Sequence, residues 1–178
     1  IMAIDKIQSE SINLADNFAF TGTVSGAADN KPSFLAYRSS SDSFAYNVHT
    51  RIDFNTEKYD SNNCFDNSSA YKFTPGVAGK FFLYAHAGCY AASHGYKQIL
   101  SIYKNGTAIV SSSEETDLTG NFTASFVRTQ SVSVTDISDA DDYYQVYIYQ
   151  RNTGNDTVTL DYNANYPYTH FGGYKILT

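Results

Sequence analysis

The sequence predicts an all-β protein, folded as a β-sandwich of about ten short strands. Tyrosine and phenylalanine are abundant, at 16 and 12 residues, while tryptophan is absent; aromatic side chains of this kind favour strands. Turn signals recur between short apolar runs, and no stretch shows a helical periodicity of useful length. The run Phe81–Tyr84 is apolar on both of its faces. A strand of this kind must be covered on both sides, by the sandwich core and by another chain.

Length and charge limit the organisation and the partners of the protein. One domain is expected for 178 residues. Residues 1–32 are predicted to be an N-terminal anchoring segment and linker, because their apolar residues are sparse and Thr21–Ala28 is a run of small residues. Residues 33–178 are predicted to form the sandwich. The net charge of -6 argues against nucleic acid as a partner. Insertion in a membrane and a signal peptide are not expected, since no apolar run is long enough.

Turn residues bound the individual strands. Pro75-Gly76 and Gly79 place turns just before the strand that contains Phe81–Tyr84. Asn105-Gly106 is a strong signal for a two-residue hairpin, because both central positions of a type I′ turn need a positive φ.

Period-two alternation assigns the faces of the strand Tyr143–Gln150. Its even-numbered residues from Tyr144 to Ile148 suit the core, and its odd-numbered residues are mostly tyrosines. Rigid, amphipathic tyrosines in a row are typical of subunit interfaces. The predicted subunit interface comprises Phe82, Tyr84, Tyr147 and Tyr149.

Five segments carry motifs in a fixed order along the chain. They are Phe34–Tyr37, Arg51–Asn55, Phe65-Asp66 with Phe73–Phe81, Leu100–Gly106 and His170–Tyr174. Together they resemble the globular head of the complement C1q family, within the wider tumour-necrosis-factor-like jelly rolls. The third segment is one residue shorter than the family pattern. The resemblance covers roughly residues 34–178, and it implies a jelly roll that associates as a homotrimer.

The N-terminal run Ile12–Gly26 resembles segments that precede receptor-facing domains in bacteriophage tail-fibre proteins. We therefore expect a non-enzymatic virion protein: a tail fibre, tail tip or capsid appendage on the outside of the particle. Its N-terminal segment would contact other virion proteins, and its trimeric head would bind a host-surface glycan or protein. Two alternatives are a secreted, extracellular C1q-like lectin and a purely structural virion component.

Four loops are candidates for host contact, since a rigid sandwich tolerates variable loops. They are Arg38–Ser43, Ser61–Asn67, Ala91–Tyr96 and Asn163–Tyr168. The last has the tyrosine and asparagine content of adaptable binding surfaces; a proline-stiffened turn is the alternative. Its predicted ligand-binding residues are Asn163, Asn165, Tyr166 and Tyr168.

Catalytic and metal-binding signals are weak. Cys89 and His94 lie near each other but lack the motif of a thiol enzyme. Cys64 and Cys89 either form a disulfide or are unpaired. No cofactor is expected, with calcium as the exception to consider, because closely spaced carboxylates can bind it. The candidate ligands are Asp139, Asp141 and Asp142, next to Asp136. A solvated turn is the alternative interpretation, and the glycine of the family's Gly-Asp pattern is replaced by Ala140.

Overall fold

A computed structural model describes residues 30–91, 96–115, 126–152, 154, 157–163 and 165–177, without the side chains of Ala91 and Phe126. Thirteen strands in these ranges form two antiparallel sheets. The all-β prediction is therefore confirmed. The strands outnumber the expected ten because several have only two or three residues. The described residues contain no helix that could span a membrane.

The front sheet has seven strands. They are β1 (Ser33–Tyr37), β2 (Asp42–Phe44), β4 (Thr56–Asp60), β7 (Gly79–Ala91), β10 (Phe126–Ser138), β12 (Val158–Leu160) and β13 (His170–Lys175). Strand β7 is its centre. It pairs with β10 along one edge and with β13 and then β12 along the other. Strands β1 and β4 continue the sheet beyond β13.

The back sheet has six strands. They are β3 (His49–Arg51), β5 (Phe65–Asp66), β6 (Lys72–Phe73), β8 (Tyr96–Lys104), β9 (Thr107–Glu115) and β11 (Tyr144–Asn152). Strand β11 lies between β8 on one side and β3 and β6 on the other. The hairpin of β8 and β9 turns at Asn105-Gly106, with φ values of 50° and 82°, as the sequence predicted.

Aromatic rings from both sheets meet in the core. Phe34 of the front sheet stacks on Phe73 and Phe65 of the back sheet, with ring centroids 4.5 and 5.1 Å apart. Phe171 meets Phe34 edge-on at 5.0 Å. All four side chains are buried. This cluster joins the two sheets because each sheet contributes two of its rings.

The first and last described strands lie side by side. Ser33 pairs with Tyr174, and Tyr37 pairs with His170. Lys175 also donates its backbone N–H to the carbonyl of Pro32 at 3.1 Å. The described chain therefore begins and ends at one end of the sandwich, here named the proximal end, and the opposite end is named the distal end. Residues 1–29 lie outside the described residues, so the anchoring segment stays a prediction.

Candidate functional site

The outward face of the front sheet carries a group of aromatic side chains. Phe82, Tyr84 and His86 alternate with buried residues along β7, so all three point away from the core. Tyr174 and His170 of β13 lie opposite Phe82 and His86. These five residues are named the aromatic face. Tyr174 is 37% exposed and the other four are half-buried.

Ring contacts run along the whole aromatic face. Tyr174 contacts Phe82 with centroids 5.6 Å apart, and Phe82 contacts Tyr84 at 6.0 Å. Tyr84 then meets His170 edge-on at 5.9 Å, and His170 stacks on His86 at 5.6 Å. Rings that pack on one another present a large apolar surface whose shape is already fixed, which lowers the entropic cost of binding another surface.

Gly172 determines how Tyr84 lies on this face. The two residues are opposite each other in the pairing of β7 with β13. A Cβ atom at position 172 would be 2.5 Å from the Tyr84 hydroxyl oxygen and 2.6 Å from its ring. Glycine therefore leaves the space in which the tyrosine ring crosses β13. This is a structural reason for the glycine in the closing motif of the sequence.

A depression of about 370 Å³ lies between β7 and β10. Phe82, Tyr84, His86 and His170 form its aromatic part, with Ser131 and Ser133 on the β10 side. His86 Nδ1 is 2.9 Å from Ser131 Oγ. Burial, together with the neighbouring His170, lowers the pKa of His86. The depression therefore lies on the aromatic face and is lined by both aromatic and polar side chains.

The four residues of the predicted subunit interface lie on two opposite faces. Phe82 and Tyr84 belong to the aromatic face, whereas Tyr147 and Tyr149 point outward from β11 in the back sheet. Tyr147 packs on Tyr103 at 4.3 Å, and Tyr149 donates its hydroxyl to Asn47 Oδ1 at 2.6 Å. The core assignment of Tyr144, Val146 and Ile148 was right, since all three are buried, but Gln145 of the predicted outward face is buried as well. One contiguous patch, however, includes only the first two interface residues.

The loop Asn163–Tyr168 lies at the distal end and borders the aromatic face. Tyr168 packs edge-on against His86, with centroids 5.6 Å apart, while Tyr166 is 54% exposed. The backbone N–H of Asn165 donates to Asn163 Oδ1 at 2.9 Å. Tyr168 thus extends the aromatic face, and Tyr166 is the more accessible tyrosine. Ligand binding by Asn163, Asn165, Tyr166 and Tyr168 stays a prediction.

The remaining candidate loops divide between the two ends. Arg38–Ser43 follows β1 at the distal end, where Arg38 N–H bonds to the Thr169 carbonyl at 2.9 Å. Ala91 ends β7 at the same end, but residues 92–95, including His94, lie outside the described residues. Ser61–Asn67 follows β4 at the proximal end, next to Ser33. The described parts of Arg38–Ser43 and Asn163–Tyr168 therefore border the distal end, and the strand that precedes Ala91–Tyr96 ends there.

The acidic turn is neutralised by a lysine of the hairpin. Lys104 Nζ lies 3.0 Å from a carboxylate oxygen of both Asp136 and Asp142. Asp142 also accepts from Asn105 Nδ2 at 2.6 Å and from the Asp139 N–H at 2.8 Å. In the described part of the chain, no group of three or more acidic, histidine or cysteine side chains is placed to hold a metal ion. Calcium binding by Asp139, Asp141 and Asp142 stays an untested prediction.

The hydrogen bonds to Asp142 are expected to make folding sensitive to acid. Bonds from Asp139 N–H, Asn105 and Lys104 lower the pKa of Asp142 from 3.8 to about 2. The ionised Asp142 carboxylate therefore stabilises the folded state above about pH 4, and this stabilisation is lost as the pH falls towards 2. Solvent screening reduces the effect to about 1 kcal/mol, or about 2–4 °C in Tm. Thermal unfolding of Asp142→Asn should show a smaller loss of Tm over this range, whereas Asp141→Asn should behave like the unchanged protein.

Both cysteines are free and buried. Of the two alternatives, the structure has the unpaired thiols. Burial and the charge of Asp161 raise the pKa of Cys89 to about 12. Burial and a hydrogen bond from Cys64 Sγ to Asp60 Oδ1, at 3.0 Å, raise the pKa of Cys64. Neither thiol is ionised at neutral pH, and a thiolate is the form that acts as a nucleophile.

Solved structures with the same architecture include a complement protein and a TNF protein. The globular domain of zebrafish complement 1qA protein is 18% identical, with 83% of this chain and 98% of that structure covered and a TM-score of 0.51. The Eiger TNF from S. frugiperda is 13% identical, with 84% and 94% covered and a TM-score of 0.55. No protein-family model and no curated protein matches the chain. The protein is thus a jelly roll of the C1q/TNF-like fold, as its motifs predicted.

Proposed function

We propose that the protein is a trimeric recognition head on the outside of a bacteriophage particle. Residues 1–32 would attach it to other virion proteins, and the jelly roll would bind a host-surface glycan or protein. The aromatic face carries this proposal. It supports self-association, because a soluble protein seldom leaves so many packed rings open to water on one sheet. The C1q-like motifs support the number three, and the tail-fibre-like run Ile12–Gly26 supports the phage context.

The placement of the loops supports recognition at the distal end. The described chain begins at the proximal end, and the described parts of the candidate loops Arg38–Ser43 and Asn163–Tyr168 border the distal end. A head attached through its N-terminal segment would therefore present these loops away from the particle. Weak contacts at single loops suffice in a trimer, because three linked sites raise the effective affinity when all of them engage together.

The buried thiols and the lysine-paired acidic turn support binding without catalysis. The raised pKa of Cys89 keeps its thiol protonated, and Lys104 forms ion pairs with the carboxylates of Asp136 and Asp142. Neither group offers an activated nucleophile or an acid–base pair at neutral pH.

The full chain and a shortened chain that begins at Lys31 test the proposal together. The shortened chain keeps the Pro32 carbonyl that accepts from Lys175. Both proteins should be trimers by light scattering and should bind bacterial cells or surface polysaccharide without releasing reducing ends. Only the full chain should join phage particles that lack the native protein. A monomeric full chain, or release of reducing ends, would contradict the proposal.

A soluble lectin is the second candidate, favoured by the structural similarity to a complement protein. This candidate would be supported if the full chain bound the polysaccharide as a trimer but did not join any phage particle. A chain that joins particles and binds no cell or polysaccharide would instead be a structural virion component.

A further inference from the structure

The distal half of the aromatic face holds a cross-strand pair of histidines. His86 and His170 are direct partners in the pairing of β7 with β13. Their rings stack with centroids 5.6 Å apart and planes 20° from parallel. Both side chains are already half-buried in the single chain. Two imidazole side chains therefore share the surface that the proposed function assigns to self-association.

The Nδ1 atom of each histidine already has a hydrogen-bond partner, which leaves the Nε2 atom to take up a proton. His170 Nδ1 lies 2.9 Å from the Pro167 carbonyl oxygen and 3.0 Å from that of Tyr168. Because carbonyl oxygens only accept, Nδ1 carries the proton of the neutral His170 ring. His86 Nδ1 pairs with the Ser131 hydroxyl at 2.9 Å. Acidification therefore adds a positive charge to rings whose Nδ1 atoms already have hydrogen-bond partners.

The groups that face the pair offer no negative charge to balance it. They come from each neighbouring element: Tyr84 on β7, Ser131 and Ser133 on β10, Tyr37 on β1, and Tyr168 in the loop before β13. All of these carry hydroxyl groups and none is a carboxylate. Burial raises the pKa of Tyr168, and the charge of Asp161 contributes to this shift. A cation on either histidine would thus be stabilised by carbonyl or hydroxyl oxygens and by solvent, without an opposite charge from these groups.

We infer that protonation of His86 and His170 separates the copies of this chain, so that assembly through the aromatic face requires neutral or alkaline pH. This inference rests on the proposed function. Contact with a second copy removes the remaining solvent from both rings, and the charged forms then lose hydration and repel each other across 5.6 Å.

The sign of the effect follows from linkage. In the single chain, burial and His170 already lower the pKa of His86. Further burial in the assembly acts in the same direction. The assembly therefore prefers the neutral rings, its stability is present at high pH, and it is lost as the pH falls through the histidine range.

Sedimentation velocity of the full chain at about pH 7.5 and about pH 5, at equal ionic strength, tests the inference. We expect trimers at the higher pH and folded monomers at the lower one, with a dissociation constant raised about 100-fold or more, since each unit of pKa difference contributes about tenfold for each histidine. Circular dichroism should show an unchanged sheet signal at both pH values.

The double substitution His86→Gln with His170→Gln should give trimers at both pH values, because glutamine is polar and does not titrate. His49→Gln, on the outward face of the back sheet, is the matched control and should dissociate like the unchanged protein. If the double variant fails to assemble at high pH, His86→Gln alone should show about half of the logarithmic pH effect.

Each other outcome has a distinct meaning. Monomers of the unchanged protein at pH 7.5 would refute the proposed trimer itself. Trimers at both pH values would refute only the histidine inference. The histidine inference would also be refuted if the double variant and His86→Gln alone both dissociated at pH 5 like the unchanged protein. Unfolding of the unchanged protein at pH 5, in place of dissociation, would refute it as well.

Discussion

Replacement of Phe34 by alanine is expected to lower the free energy of unfolding by about 3–5 kcal/mol. Phe34 is fully buried, and its ring contacts Phe65, Phe73 and Phe171. Truncation would remove these contacts and leave a cavity between the two sheets. The rings around it belong to strands of both sheets, so their backbones hold them apart and the cavity closes only in part.

Urea unfolding at one fixed protein concentration measures this change, because self-association makes the midpoint depend on concentration. Tyr166→Ala is the matched control, since it truncates an aromatic ring that is 54% exposed. Its effect should stay within about 0.5 kcal/mol. A loss below about 1 kcal/mol for Phe34→Ala would mean that the ring is not a centre of the core.

The change Phe82→Glu is expected to convert the protein to a folded monomer at micromolar concentration. Phe82 lies on the aromatic face between Thr135 of β10 and Tyr174 of β13. In the separate chain the new carboxylate reaches water, so folding should be affected little. In the assembly it would be buried without a partner, at a cost of several kcal/mol. Light scattering reports the mass directly.

Tyr147→Glu introduces the same charge on the outward face of the back sheet and is the matched control. It should leave the mass unchanged. This comparison also tests which half of the predicted interface takes part, because Phe82 and Tyr147 lie on opposite faces. A trimer that survives Phe82→Glu but not Tyr147→Glu would transfer the interface to the back sheet.

Local patterns predicted the strands and their buried faces well. The Asn105-Gly106 turn needs only two residues to specify positive φ, and the burial of Tyr144, Val146 and Ile148 follows from the pattern of one strand. The sheet to which a strand belongs depends on partners far away in the sequence. For this reason the sequence placed both Phe82 and Tyr147 in a subunit interface without showing that β7 and β11 belong to different sheets.

The chemistry around the acidic turn also depended on distant partners. The cluster of aspartates was visible in the sequence, but the residue that neutralises Asp142 is Lys104, on another strand. Likewise, His86 and His170 show no spacing that would indicate a pair, and only the register of β7 with β13 brings them together. A single sequence shows which residues are present, but it does not show which of them lie next to each other in the folded chain.

Strand β1 lies between β13 and β4, and its first residue is at the end of the sandwich where the described chain begins. In a particle-bound head, tension between the N-terminal segment and a host bound at the distal loops would act along β1. Hydrogen bonds in an antiparallel sheet run perpendicular to the strands. They would therefore be loaded in shear on both edges of β1, all together, and not opened one after another. Such a strand resists mechanical extraction as a unit.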